Sequence, residues 1–503
     1  MERAREVGVR KVAGATRWQL AGQFMLESML INGVAVVVMV LLVAMAGPGF
    51  DSIVGKEVHR AFLTSGLMRE GGFWLAFAGL FILASLLAGA YPSLVMAAFK
   101  PVLVLKGRFQ RSAKGVFLRQ ALVTFQFFLS ILLIAGTLLV YRQLQFMRSQ
   151  NPGYNLDQLY VVKAPAVSDS TLGARVNSFK TELSREPAIH GVTGVSEIPG
   201  QPMLADNAVR RIDQSGNDVF FADFLMVDKD FLPTYGAKLV AGSNIPDDET
   251  GSWYKTMQTR VMINETLAKD LGYRNAAAAV HQYMYFVSWL GDVKAEIVGV
   301  VGDYQQESLQ KAHDPIMYYR ISFGSPAYFV INLDVRQLSR TLAHVKDTYS
   351  ALFPGNAYES FFLNDHFEKQ YASDEKLGAL FELFAGLAIF VACMGLLGLS
   401  SCAIRLRVRE IGIRKVLGAS VHSLVVLVSK DFVRLVGLAT LIALPVTYFG
   451  ADRWLRNYAF HVRVGWVILA LPALVLLVAA LVTVAVQSVR AAMANPVDSL
   501  KTE

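Results

Sequence analysis

Six apolar runs, each near the roughly twenty residues an α-helix needs to cross a bilayer, constrain this chain more than any other feature. They extend from Ser28 to Gly47, Phe73 to Val95, Ala121 to Tyr141, Leu383 to Ala403, Leu435 to Phe449 and Trp466 to Val486. The fifth is short, but apolar residues carry it back to Leu424 past Lys430, Asp431 and Arg434. Hydrophobic residues make up 54% of the 503 and charged residues only 17%, a balance foreign to soluble globular chains. The first run lacks a small-residue cleavage site and more spans follow it, so it does not read as a cleavable signal.

The net charge of +8 raises the question of nucleic acid, and the position of the basic residues answers it. Arg3, Arg5, Arg10, Lys11 and Arg17 precede the first run. Lys100, Lys106, Arg108, Arg111, Lys114 and Arg119 separate the second from the third, and Arg405, Arg407, Arg409, Arg414 and Lys415 follow the fourth. With six spans these clusters share one side, which the positive-inside rule makes cytoplasmic. Arg453, Arg456 and Arg463 against Asp452, between the last two spans, are a mild exception. The basic excess is therefore topological, and no nucleic acid partner is expected.

The same count puts Arg142 to Asp374 outside. Strand-like runs include QLYVVK, AEIVGVVGDY and AYFVINLDV, and RRIDQSGNDVFFADFLMV reads as a hairpin turning at Ser215, Gly216 and Asn217. RVNSFKTELS and RQLSRTLAHVKDTYSALF carry helical periodicity. The expected fold class is an α-helical integral membrane protein with six transmembrane helices and one large α+β domain on the outer side.

Within this frame one phrase occurs twice: REVGVRKVAGATRWQL from Arg5 and REIGIRKVLGASVHSL from Arg409. A second echo, KPVLVLK from Lys100 and NPVDSLK from Asn495, closes each unit in the same order, which marks an internal duplication. The spacing predicts a short amphipathic helix, with Ile413, Val416, Leu417 and Leu424 on its apolar face. Gly14 and Gly418 suit a left-handed position that stops it. Thr16 and Ser420 then cap the next helix. Thr16 and Gln19 form a capping box, and Ala15 and Leu20 are spaced as a staple.

Chemistry is scarce. Gly47 to Glu57 glances toward a phosphate loop, but Phe50 replaces its first glycine and Glu57 its Ser/Thr, and the stretch falls in an outer loop. Asp365, His366 and Glu368 sit close together, and Asp365 and Glu368 read as a capping box for the helix entering span four. No catalytic, metal or cofactor site is expected. Cys393 and Cys402 both lie in an apolar run and read as packed thiols. Glu27 and Asp431 occupy equivalent repeat positions and read as interfacial carboxylates, with ion translocation as the alternative.

The repeated phrase after a span, with ANPVDSLKTE closing the chain, resembles the FtsX-type permease domain of MacB-like ABC transporters. VDKDFLPTYGAKLVAGSNI, VMINETLAKDLGY, EIVGVVGDY and FFLNDHFEKQYASDEKLGALFELFAGLAIF resemble that family's periplasmic domain. The resemblance implies a non-enzymatic permease in the bacterial inner membrane, with both termini cytoplasmic. It would transmit ATP-driven motion of a separate ABC ATPase to a periplasmic MacB-like domain, for export or efflux of an antibiotic, peptide or lipoprotein. It assigns Glu6, Gly8, Arg10, Lys11 and Gly14, and their duplicates Glu410, Gly412, Arg414, Lys415 and Gly418, to an ATPase-coupling surface. Further implied partners are membrane lipid, a second permease polypeptide, a periplasmic adaptor or an outer-membrane component.

A non-transporting regulator of a cell-wall enzyme and an ion-coupled secondary transporter are the competing functions. The organisation expected is the end of a first permease unit over 1–115, a transmembrane helix over 116–141, the periplasmic domain over 142–374 and a second permease unit over 375–503. Against fused-duplication relatives of eight spans, the resemblance implies a member shortened at its N-terminus.

Overall fold

Three apolar runs precede the polar block, and each becomes part of one long helix in the computed structural model. The structure describes residues 10–11, 13–54, 71–98, 113–154, 158–167, 169–203, 206–213, 219–246, 257–288, 291–320 and 326–493. Helices α1 (Arg17–Val54), α2 (Gly71–Ala98) and α3 (Ala113–Ser149) contain the first three runs. Helix α1 continues through Pro48 to Val54, so Gly47 to Val54 is helical rather than the outer loop expected; Gly55 to Glu57 lie outside the described residues. Asn32 of α1 donates to Ser85 of α2 at 3.0 Å, and Gly89 leaves room for Met25 and Ser28.

The polar block builds strands β1 (Leu159–Lys163), β2 (Ile189–Val195), β3 (Asp206–Arg211), β4 (Phe220–Val227), β5 (Leu239–Gly242), β6 (Gln258–Asn264), β7 (Tyr283–Ser288), β8 (Gly291–Val301), β9 (Ile316–Arg320), β10 (Tyr328–Leu333) and β11 (Ser360–Phe362). Its helices are α4 (Leu172–Leu183), α5 (Phe231–Tyr235), α6 (Glu265–Asp270), α7 (Ala276–Ala279), α8 (Leu338–Leu352) and α9 (Leu363–Glu368). Strands β11, β1, β10 and β2 lie side by side, each antiparallel to its neighbour. Helix α4 joins β1 to β2 and α8 joins β10 to β11, so the sheet is two interlocked βαβ units.

In β1, Tyr160 and Val162 face a core shared with Phe179, Val345 and Tyr349 of α4 and α8. Leu159 and Val161 face the opposite core. A strand buried on both faces reads as a continuous apolar run, as QLYVVK does.

Between β2 and β10 the chain inserts a second body. Strands β4, β3, β7, β8, β6 and β9 pair in sequence, and β9 returns to β4, closing a ring. Its interior holds Val209, Phe224, Ile263, Met284, Val293 and Ile297. The expected hairpin is present as β3 and β4; its turn residues lie outside the described residues. Helix and strand thus mix as the α+β expectation required.

The last three runs enter α10 (Ala372–Val416), α11 (Val421–Leu455) and α12 (Trp466–Met493). Helix α11 includes Lys430, Asp431 and Arg434, so span five begins well before Leu435. Leu424, Val428, Phe432, Val436, Ala439 and Ala443 of α11 share one buried cluster with residues of α3, α10 and α12. Asn32 and Ser85 correspond in the duplication to Val436 and Ala480, both buried, so one hairpin is pinned by a hydrogen bond where its duplicate packs hydrocarbon.

Cys393 and Cys402 are free and only half-buried, a correction to packed thiols: an outward helix face in an apolar run is apolar too. Among the described residues, six helices are long and apolar enough to cross a membrane. Pro48, Pro92, Pro445 and Pro472 fall in α1, α2, α11 and α12, whereas α3 and α10 contain none.

The described chain divides into two compact units: Met1–Thr137, Lys376–Thr447 and Trp466–Glu503 form one, Leu138–Glu375 and Tyr448–Gly465 the other.

Candidate ATPase-coupling surface

A glycine placed just after a basic helical turn should stop it, and both copies of the phrase do this. Gly14 has φ +97° and Gly418 φ +86°. In the first copy Gly14 N donates to Lys11 O at 3.2 Å and Ala15 N to Arg10 O at 2.9 Å, the two bonds of a Schellman end. In the second, Ala419 N donates to Arg414 O at 2.9 Å. Beyond the joint, Thr16 N donates to Gln19 Oε1 at 2.9 Å and Gln19 N to Thr16 Oγ1 at 3.3 Å, completing the capping box. Ser423 N donates to Ser420 Oγ at 3.3 Å, and Ala15 packs on Leu20 and Phe24.

The second copy departs from expectation in one respect. Helix α10 runs unbroken for 45 residues from Ala372 to Val416, so the phrase is the tail of span four and not a separate interfacial helix. Between Ser401 and Glu410 there is neither glycine nor proline to end it. Leu424 is correspondingly not on this helix; it lies past the joint, buried in the bundle.

Glu410 and Arg414 are exposed and form an i,i+4 ion pair of 2.8 Å, and Arg10 and Lys11 occupy the equivalent helical end of the first copy. Gly412 and Lys415 are helical, while Glu6 and Gly8 lie outside the described residues. Ile413 and Leu417 are large, apolar and exposed beside the pair, Leu417 to 80%. An exposed pair of this kind adds only about 0.3–0.5 kcal/mol to a helix, so its charges are at the disposal of a partner at little cost to folding.

A second arrangement, on the loop between α11 and α12, had no local sequence signal. Asp374 is buried, and its carboxylate accepts from Gln310 Nε2 at 2.7 Å and Tyr458 Oη at 2.9 Å. Ala459 N donates to Gln310 O at 2.9 Å. The Gln143 amide donates to Phe460 O at 2.9 Å and accepts from Val462 N at 3.0 Å, as a neighbouring strand would. Met147, Leu309, Phe367, Tyr371 and Tyr458 pack around it, and Arg148 pairs with Glu375. Burial and the Asp374 carboxylate push the Tyr458 phenol well above its ordinary range, so it stays a donor.

The Asp365 and Glu368 reading is corrected. Helix α9 begins at Leu363 with Phe362 as cap residue and no side-chain cap bond, which puts Asp365 inside the first turn. Among the described residues no group of three or more His, Cys, Asp or Glu side chains is arranged to hold a metal. Glu27 and Asp431 are half-buried on α1 and α11.

The family model for "FtsX-like permease C-terminal" matches residues 1–101 and 382–496, the two stretches that contain the duplicated joints. These two stretches of the chain are similar to the FtsX-like permease family. None of the curated proteins compared matches it. Among solved structures it is similar to the periplasmic region of MacB from Actinobacillus actinomycetemcomitans, at 12% identity and TM-score 0.31, covering 44% of this chain and 96% of that one. It is also similar to a domain of a permease protein from Porphyromonas gingivalis, at 14% identity and TM-score 0.29, covering 42% and 92%. A third is the extracellular domain of the ABC-type transporter YknZ from Gram-positive bacteria, at 9% identity and TM-score 0.27, covering 40% and 99%.

Proposed function

We propose that the chain is the membrane subunit of an ABC transporter that passes the motion of a separate ATPase to the outer α+β domain. FtsX-like permeases as a class are ABC transporter membrane subunits that work with ATPase partners and are not themselves enzymes. The observation that carries the reading is the joint built twice: a charged helical end, a left-handed glycine and a capped helix leading into the bundle. Charges at a wet interface fix register and orientation, and a sharp, capped turn passes a rigid-body displacement onward. Glu6, Gly8, Arg10, Lys11, Gly14, Glu410, Gly412, Arg414, Lys415 and Gly418 form the coupling surface in this reading, on the cytoplasmic side of a bacterial inner membrane. The work done is export or efflux of an antibiotic, peptide or lipoprotein.

The test is affinity purification of the full chain from native membranes. An ABC ATPase should accompany it, and Glu410→Gln or Arg414→Gln should lower its recovery several-fold while the permease keeps its thermal stability. Recovery unchanged by both substitutions would remove the coupling role.

A further inference from the structure

The arginines at the far end of α11 have no place in the coupling reading, and they run against the positive-inside count. From Tyr448 to Gly465 the chain carries Arg453, Arg456 and Arg463 against a single acid, Asp452, which leaves two positive charges. Asp452 is taken up by Arg456, whose Nε and Nη2 donate to its Oδ2 at 3.0 and 2.7 Å. Arg453 and Arg463 are exposed, and among the described residues neither pairs with a carboxylate.

Helix α11 shows what lies beside them. Ile442, Val446, Phe449 and Arg453 recur at helical spacing on one face, and all four are exposed. Arg456, whose N–H still donates to Asp452 O at 3.2 Å, continues that face by one more turn. Ala443, Thr447 and Ala451, on the other side, are buried. The exposed face is therefore hydrocarbon for two turns and then becomes cationic. Phe449, 70% exposed, sits one turn below Arg453.

Two occupants could answer the positive charge: an acidic protein segment or an acidic lipid. The protein segment accounts for the arginines but not for the apolar turns that lead to them. A phospholipid accounts for both, since its acyl chain follows the hydrocarbon and its phosphate meets the guanidinium fork. An uncompensated positive charge at a membrane surface favours a headgroup of net negative charge. The place is also fixed in advance. Phe460 and Val462 are bonded to Gln143, Ala459 to Gln310 and Tyr458 to Asp374, so little ordering remains to be done on binding.

We propose that this end of α11 is a binding site for the headgroup of an acidic phospholipid. Arg453 takes the phosphate, Phe449 lies along the start of the acyl chain, and Arg463 adds to the positive field. The inference rests on the reading of the six helices as membrane spans.

The test uses the full chain with Cys393 and Cys402 replaced by serine and a fluorophore attached through Asn457→Cys, an exposed position between the arginines. Vesicles of phosphatidylcholine receive a small fraction of either phosphatidylglycerol or phosphatidylcholine, each with a quencher high on its acyl chain. The basic joint at the other end of α11 is about 52 Å away along the helix and does not contribute to the signal. Labelled phosphatidylglycerol should quench about 3- to 5-fold more than labelled phosphatidylcholine, and about 0.5 M salt should erase most of the difference. Arg453→Gln should remove half of the preference or more, and Arg453→Gln with Arg463→Gln nearly all of it. Arg453→Lys should keep part of it, and Arg185→Gln on the α+β domain should leave it unchanged. Equal quenching by the two lipids, as an acidic protein occupant would give, overturns the proposal, and so does a preference that survives the double variant. Release of the chain from the vesicles by an alkaline wash would overturn the spanning reading itself; a chain that stays in the vesicles and shows no preference overturns the lipid site alone.

Discussion

At Gly418 a Cβ would meet nothing within 4 Å, yet φ is +86°, so conformation alone decides what a substitution does there. Gly418→Ala should cost about 1–2 kcal/mol, the penalty for an L-residue in the left-handed region, and Gly418→Val more, because a branched Cβ is stiffer. Thermal unfolding of the solubilised chain measures this; equal stability for the alanine variant would show that the joint does not need a left-handed turn. Gly14, at φ +97° with nothing near its Cβ, should respond alike. These joints were legible in the sequence because every bond in them spans five residues or fewer. Asp365 was misread for a related reason: a cap is defined by where the helix starts, and Leu363, buried beneath it, sets that start.

At the scale of elements, the arrangement around Asp374 was invisible, since its partners Gln310 and Tyr458 are 64 and 84 residues away. Charge-assisted bonds contribute about 1.5–3 kcal/mol each. Tyr458→Phe should therefore cost the domain about 2 kcal/mol, and Asp374→Ala more, with a double variant well short of additive in denaturant unfolding. Additive losses would mean that the two side chains do not act together.

Strands such as β1 and β10 were readable because they are continuous apolar runs; the closed ring was not, because pairing order leaves no local trace. The entries to α4 and α8 also predict an acid limb. Asp169 is held below its ordinary range first by the Thr171 side chain, and Asp334 down to about 2 by Arg336 against an ordinary 3.8. Both carboxylates are favoured in the folded state, so their contribution is present above about pH 4 and is lost as pH falls toward 2. Asp334→Asn should flatten that part of the stability profile, read by circular dichroism between pH 5 and 2; an unchanged slope would show that the acid limb arises elsewhere.

For the whole molecule, the proposed orientation predicts that a single cysteine at Arg414 is shielded from an impermeant thiol reagent in intact cells. A single cysteine at Ser243, exposed just after β5, should be labelled. The background for this measurement is a chain with Cys393 and Cys402 replaced by serine. Labelling at position 414 from outside would reverse the topology and remove the ATPase from reach of the duplicated joints.

The absence of proline from α3 and α10 has a consequence for where this molecule can yield. Pro48, Pro92, Pro445 and Pro472 give their helices places to bend; α3 and α10, which flank the α+β domain in the chain, have no proline and only serine and glycine positions such as Ser130 and Ser400, each bonded back to the carbonyl four residues earlier. Helix α10 alone measures about 67 Å at 1.5 Å per residue, more than twice the roughly 30 Å of hydrocarbon in a bilayer. In the proposed coupling, α10 would carry its load without a proline hinge anywhere along its length.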